Sequence, residues 1–191
     1  GSQSTSIAVA INTSDVEKKA LVDLYHSTNG EDWTTSTNWL VGDPCVGNWF
    51  GVTCDDDGGV VELWLQSINM SGHLEESIGD LFALQTFVLQ YGTISGEIPE
   101  AIGKLENLTL LGLTDHEFRG IPASVGNLTK LEKFYGYRNH LEGNIPEFTN
   151  CASLSWVILF ENNLSGPIPS FSNNTDLNDL ELFNNNLSGP I

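Results

Sequence analysis

Positive charge is scarce in this chain: 7 Lys and Arg stand against 25 Asp and Glu over 191 residues, a net charge of −18. A nucleic acid would be repelled by such a surface, so it is excluded as a partner, and the balance reads as an acidic, soluble exterior. Long apolar runs are missing too. Nothing approaches the ~20 residues a bilayer demands, and "IAVAI", Ile7 to Ile11, is too short even for the apolar core of a signal peptide. The opening Gly1-Ser2 reads as a cloning remnant or a processed end, so a targeting segment is expected to lie outside the sequence. Catalytic motifs are wanting as well. His26, His73, His116 and His140 are scattered, "HEF" at His116 lacks the second histidine of a zinc helix, and no nucleophile elbow or phosphate-binding glycine loop occurs. No catalytic residue, cofactor or metal is expected, and "CDDDGG", Cys54 to Gly59, reads as a solvated turn.

Cysteine is nearly absent, with three residues. Cys45 and Cys54 lie nine apart in a tryptophan-rich segment without the histidines or close Cys pairs of a zinc site. A disulfide is the better reading, and it implies an oxidising compartment. Cys151 stands alone, and with no histidine register beside it a structural thiol is the reading over a nucleophile. Seven Asn-x-Ser/Thr sequons, at Asn12, Asn69, Asn107, Asn127, Asn163, Asn173 and Asn186, agree with an extracellular chain, secreted or part of a cell-surface protein.

What the sequence has in abundance is one phrase. Leu63-x-Leu65 recurs at Phe87-x-Leu89, Leu111-x-Leu113, Phe134-x-Gly136, Val157-x-Leu159 and Leu180-x-Leu182, with spacings of 24, 24, 23, 23 and 23 residues. That period is the leucine-rich repeat range, one short strand and a return arc per unit, and single units cannot bury their apolar face alone. Asn139, Asn162 and Asn185 share a register from which they are expected to turn inward and satisfy backbone groups in the bend. Before the repeats, Ser14 and Glu17 have capping-box spacing. Val16, Ala20, Leu21 and Leu24 form a helical stripe, Gly30 suits the exit, and Trp33, Trp39 and Trp49 are expected to pack beneath.

"LSWVILFENNLSGPIP", Leu154 to Pro169, and nearly "LQTFVLQYGTISGEIP", Leu84 to Pro99, resemble the plant-type leucine-rich repeat, L-x-x-L-x-L-x-x-N-x-L-x-G-x-I-P. "DPCVGNWFGVTC", Asp43 to Cys54, looks like that family's paired-cysteine cap. The resemblance implies an α/β fold: a right-handed leucine-rich repeat superhelix with a parallel sheet on its concave face, a second small sheet beside it and a helical, disulfide-bonded N-terminal cap. The expected organisation is a flexible tail over 1–14, the cap over 15–59 and about six repeats of 23–24 residues over 60–191. No C-terminal cap is visible, so the chain is expected to continue or pair beyond Ile191. Departures are explicit. Ile68, Gly92 and His116 hold the asparagine register in the first three repeats, Leu74-Glu75 replaces Ile-Pro, and "RGIP" in the third lacks one residue, so that bend must tighten.

On each strand the residues flanking the inward pair point to solvent. Read down the stack, they form four columns: Glu62, Thr86, Leu110, Lys133, Trp156, Asp179; then Trp64, Val88, Gly112, Tyr135, Ile158, Glu181; then Gln66, Gln90, Thr114, Tyr137, Phe160, Phe183; then Ser67, Tyr91, Asp115, Arg138, Glu161, Asn184. Tyr135, Tyr137, Trp156, Phe160 and Phe183 gather in repeats four to six beside Lys133 and Arg138, with Trp64 and Tyr91 further up. Exposed aromatics near an arginine have hot-spot chemistry. These nine residues are the candidate ligand-binding set for a protein, peptide or glycan, as in receptor ectodomains and secreted inhibitors of the family. The alternative is a glycosylated structural component of a wall, matrix or surface, self-associating or bridged by calcium. Ice binding wants flat arrays of small residues, which these columns lack.

Overall fold

The computed structural model describes residues 12–189. Most of the expected N-terminal tail, 1–11, lies outside them. Of its remainder, Thr13 is buried and its N–H donates to Asp43 Oδ2 at 3.0 Å.

Helix α1, Asp15–Ser27, starts at Ser14, whose Oγ accepts the Glu17 N–H at 3.2 Å. The reciprocal half of the capping box is re-aimed. Glu17 is buried, its Oε2 accepting the Ser14 hydroxyl at 3.0 Å and its Oε1 the Val60 N–H at 3.2 Å, so the carboxylate ties the helix to the first coil. The inward face is Glu17, Ala20, Leu21, Leu24 and Tyr25. Val16, placed in the stripe by its sequence, sits one residue round the helix and is 51% exposed. Gly30 also has a different role. The left-handed exit falls on Asn29 (φ 53°), whereas a Cβ at Gly30 would lie 2.2 Å from the Tyr25 ring.

Tyr25 stacks on Trp39 with centroids 5.8 Å apart, and Trp39 meets Trp33 and Trp49, each at 5.0 Å. All three indole N–H groups are satisfied by carbonyls: Thr28 at 3.0 Å, Phe50 at 2.9 Å and Val41 at 2.9 Å. Apolar area is thereby buried without an orphaned donor. The Cys45–Cys54 disulfide, with Cα atoms 5.6 Å apart, fastens the cap to strand β1, Val52–Cys54.

β1 runs antiparallel to β2, Val60–Gln66. From β2 onward the sheet is parallel, through β4 (Thr86–Gln90), β6 (Leu110–Thr114), β8 (Lys133–Tyr135), β10 (Trp156–Ile158) and β12 (Asp179–Glu181). Registers pair each inward residue with its counterpart 23 or 24 positions on, as with Phe87↔Leu111 and Val157↔Leu180. On the flank lie two three-stranded parallel sheets. One contains β3 (Ser71–Gly72), β5 (Thr93–Glu97) and β7 (Glu117–Gly120); the other contains β9 (Glu142–Gly143), β11 (Asn163–Gly166) and β13 (Asn186–Leu187). Where β5 meets β7 the register shifts between Gly96 and Glu97: Gly96 pairs with Phe118 and Glu97 with Gly120, so Arg119 bulges out of β7. Leu180, expected inside, is exposed on the last strand of the sheet, where none of the described residues covers it.

Inside, three asparagines repeat one set of bonds. Asn139 Nδ2 donates to the Leu113 carbonyl at 2.9 Å and its Oδ1 accepts the Phe118 N–H at 3.1 Å. Asn162 and Asn185 do the same one and two coils later. In repeat three His116 supplies the accepting half of this pattern. The ring is 5% exposed, and its Nδ1 accepts the Ile94 N–H at 3.2 Å. Gly92 makes the space, since a Cβ there would fall 2.7 Å from His116 Cε1 and 2.6 Å from the Met70 carbonyl.

Candidate functional site

The concave sheet holds the candidate residues in register. Lys133, Trp156 and Asp179 pair along one row, and Tyr135, Ile158 and Glu181 along the next. Neighbouring strands lie about 4.8 Å apart. One row on, Tyr137, Phe160 and Phe183 stack face to face, with centroid separations of 4.8 and 4.6 Å and ring planes 8° and 5° apart. The separations match the sheet spacing, since flat rings at one position on adjacent coils can lie parallel one strand spacing apart. Phe183 is 53% and Trp156 39% exposed.

The fourth column is the corner where strand becomes bend. Ser67, Tyr91, Asp115, Arg138, Glu161 and Asn184 all adopt left-handed backbone, φ between 53° and 60°. At this corner Arg138 Nε donates to Glu161 Oε2 at 3.0 Å, and its Nη1 lies 3.6 Å from Asp115 Oδ1. The guanidinium sits 6.0 Å from the Tyr137 ring centroid and 5.8 Å from that of Phe160. Glu161 first, then Asp115, push its pKa above the usual arginine value.

Between the rows and this corner opens a groove of about 410 Å3, lined by Gln90, Tyr135, Tyr137, Arg138, Trp156, Ile158, Phe160 and Glu181. Burial, then Tyr137, then Asp179 raise the pKa of the Tyr135 phenol. Six of the nine candidate residues gather here or, like Phe183, adjoin it through the stack. Lys133 stands across Trp156, outside the lining. Trp64 and Tyr91 are exposed but belong to the first two coils, where Trp64 Nε1 donates to Gln66 Oε1 at 3.1 Å. Gln90, Ile158 and Glu181 line the groove without belonging to the candidate set, since nothing in their residue type distinguishes lining from rim. Val88, Thr114 and Ile158, which alternation turns toward solvent, are buried, Ile158 at the floor of the groove.

A second cleft, of about 540 Å3, lies between α1 and the first return arc, along Asp23, His26, Ser27, Glu75, Glu76 and Ser77. Its carboxylates are engaged: Asp23 with Lys19 at 2.5 Å, Glu75 with His73 at 2.9 Å and Glu76 with the Ala101 N–H at 2.9 Å. Among the described residues no three His, Cys, Asp or Glu are placed to hold a metal ion. Cys151 is buried with its thiol pushed up to about 11 by desolvation, which leaves it protonated and inert at neutral pH. Asn12, Asn69, Asn127, Asn163, Asn173 and Asn186 are exposed away from the groove. Asn107 is half-buried, its Nδ2 donating to the Phe82 carbonyl at 3.0 Å.

Residues 14–55 match the family model of the leucine-rich repeat N-terminal domain. The solved structure of a pollen receptor kinase 3 is 30% identical, aligning 87% of this chain with 82% of that one at a TM-score of 0.75. The chain belongs to the plant-type extracellular leucine-rich repeat family. The leucine-rich repeat ectodomain of HAESA from Arabidopsis thaliana, solved with an N-terminally extended IDA peptide hormone ligand, is 30% identical, covering 91% of this chain and 29% of that one at a TM-score of 0.74. An inactive leucine-rich repeat receptor-like serine/threonine-protein kinase of the same plant is 38% identical over 120 residues, 62% of this chain. This leucine-rich repeat chain spans 17% of the length of that curated relative. Ectodomain relatives together with the disulfide place it outside the cell.

Proposed function

We propose that this leucine-rich repeat chain is a recognition module that takes an extended peptide or protein segment along the groove of repeats four to six. The observation that carries the reading is the Tyr137–Phe160–Phe183 stack bordering a 410 Å3 groove on the concave sheet. Aromatic side chains here are free of the core constraint, and a rigid preordered stack loses little conformational entropy when a partner lands on it. A peptide fits better than a glycan. The stacked rings cover one another's inner faces, so apart from the outer face of Phe183 they offer edges and a phenol hydroxyl rather than the open faces on which a sugar ring sits. The peptide hormone on the HAESA ectodomain gives the same reading a precedent in a relative.

The test is a binding screen of the purified chain against extracellular peptides, secreted proteins and wall oligosaccharides, with Tyr137→Ala and Phe160→Ala alongside. A peptide or protein hit weakened about tenfold or more by either change supports the module, since hot-spot truncations commonly cost that much. Hits that both variants retain would remove the groove from the reading.

A further inference from the structure

The aromatic walls of the groove say nothing about the sign of the charge it accepts; the groups around them do. We propose that the groove selects a lysine or arginine side chain of its bound segment, with the cation held by Asp179 and Glu181 and its aliphatic stem lying over Trp156 and Ile158. This rests on the recognition reading above and adds the chemistry of its ligand.

An arginine beside aromatics ordinarily invites an anion. Arg138 is not available for that role. Glu161 accepts its Nε–H at 3.0 Å and Asp115 stands 3.6 Å from its Nη1, so two carboxylates already neutralise it. An anionic ligand would have to displace them and then meet Asp179 and Glu181 as well. Those two acids are the reverse case. They alternate onto one face of β12, and register places Asp179 beside Trp156 and Glu181 beside Ile158. Both are half-buried, and neither carboxylate has a hydrogen bond or ion pair with any described residue within the distances of the other pairs. Lys133, the other cation of this region, lies two strands from Asp179 with Trp156 between them.

Partly desolvated, unpaired carboxylates attract a cation more strongly than exposed ones. A long basic side chain suits the geometry, because its methylenes cover apolar surface while its head reaches the charge. Trp156 adds the cation–π attraction of an exposed indole. Asp179 also acts on Tyr135 of the groove lining, where it adds to burial and Tyr137 in raising the phenol pKa. Over longer range the net charge of −18 steers basic partners toward the molecule and anionic ones away.

Three labelled 12-residue peptides of one apolar sequence, carrying Lys, Gln or Glu at the same three positions, test the assignment by fluorescence anisotropy. The variants are Asp179→Asn with Glu181→Gln, and as a control Glu31→Gln with Asp56→Asn, which removes two exposed charges from the cap. The expected result is binding of the Lys peptide at least about tenfold tighter than the Gln peptide, with that preference lost in the first variant and kept in the control. Equal losses in both variants would assign the preference to the general acidic field and overturn the proposal. A Gln or Glu peptide that binds best, and is lost with Tyr137→Ala, would overturn it while leaving the recognition reading intact. No binding by any of the three peptides would overturn it too, and the wider screen would then decide the recognition reading alone. Unchanged melting temperatures for both isosteric variants keep folding out of the comparison.

Discussion

At residue 116 a histidine stands where the repeat pattern calls for asparagine, and it makes the interior sensitive to acid. Desolvation lowers the pKa of His116 to about 4, the Leu89 carbonyl opposing this only in part; Nε2 has no hydrogen-bond partner. Its Nδ1 must stay unprotonated to accept the Ile94 N–H. In the unfolded chain the same group titrates near the ordinary value of 6.5. Between those two values the unfolded chain binds a proton that the folded chain refuses. Stability therefore falls as pH drops from 6.5 to about 4, by up to about 3 kcal/mol, and this group adds no loss below that. His116→Asn removes this component, so urea titrations at pH 7 and pH 4.5 should show a smaller difference for the variant than for the parent. The neighbouring glycine is coupled to it. Gly92→Asn alone collides with the imidazole and the Met70 carbonyl, whereas the double change to asparagine removes the imidazole half of the collision. A double-mutant cycle should therefore give a stabilising interaction of about 1 kcal/mol or more; simple additivity would sink the coupling.

Among the elements, the asparagine rungs and the cap were the parts legible in the sequence, for different reasons. Asn139, Asn162 and Asn185 recur at a fixed offset from each strand, and a polar residue in that register has only backbone groups to bond. Asn139→Ala strips the Leu113 carbonyl and the Phe118 N–H of their partner together, so a loss of about 2–3 kcal/mol is expected in chemical denaturation. The cap was legible through its apolar spacing and cysteine pair, yet spacing misplaces Val16 by one position on the helix. Spacing alone does not reveal that the buried carboxylate of Glu17 turns the helix toward Val60. The Cys45–Cys54 loop is short, at nine residues of separation, so reducing it should lower stability by about 2.5 kcal/mol. A melting temperature indifferent to reductant would count against that contribution.

Across the whole molecule, which residues face outward was readable from alternation, but what they do to one another was not. Tyr137, Phe160 and Phe183 fall in one column by counting; their parallel stacking depends on how each ring turns, which counting does not give. The pairing of Arg138 with Glu161 and Asp115 crosses three coils, and it reverses the anion-seeking role its residue type suggests. Raising salt should weaken binding of a basic peptide far more than that of a neutral one, because the acidic field acts through screened distance while the aromatic contacts do not. Equal salt dependence for both peptides would count against steering by the field.

The six corner residues, Ser67, Tyr91, Asp115, Arg138, Glu161 and Asn184, hold one left-handed backbone shape with six unlike side chains. Each non-glycine residue there carries a conformational cost of about 1 kcal/mol, met by the rest of the coil rather than by its own side chain. The corner thus tolerates a wide range of side chains, β-branched ones excepted. A combinatorial library varied at these six positions should keep most of its members folded, with soluble yield as the readout, and the scaffold becomes a repertoire whose members differ in what they read and not in how they stand.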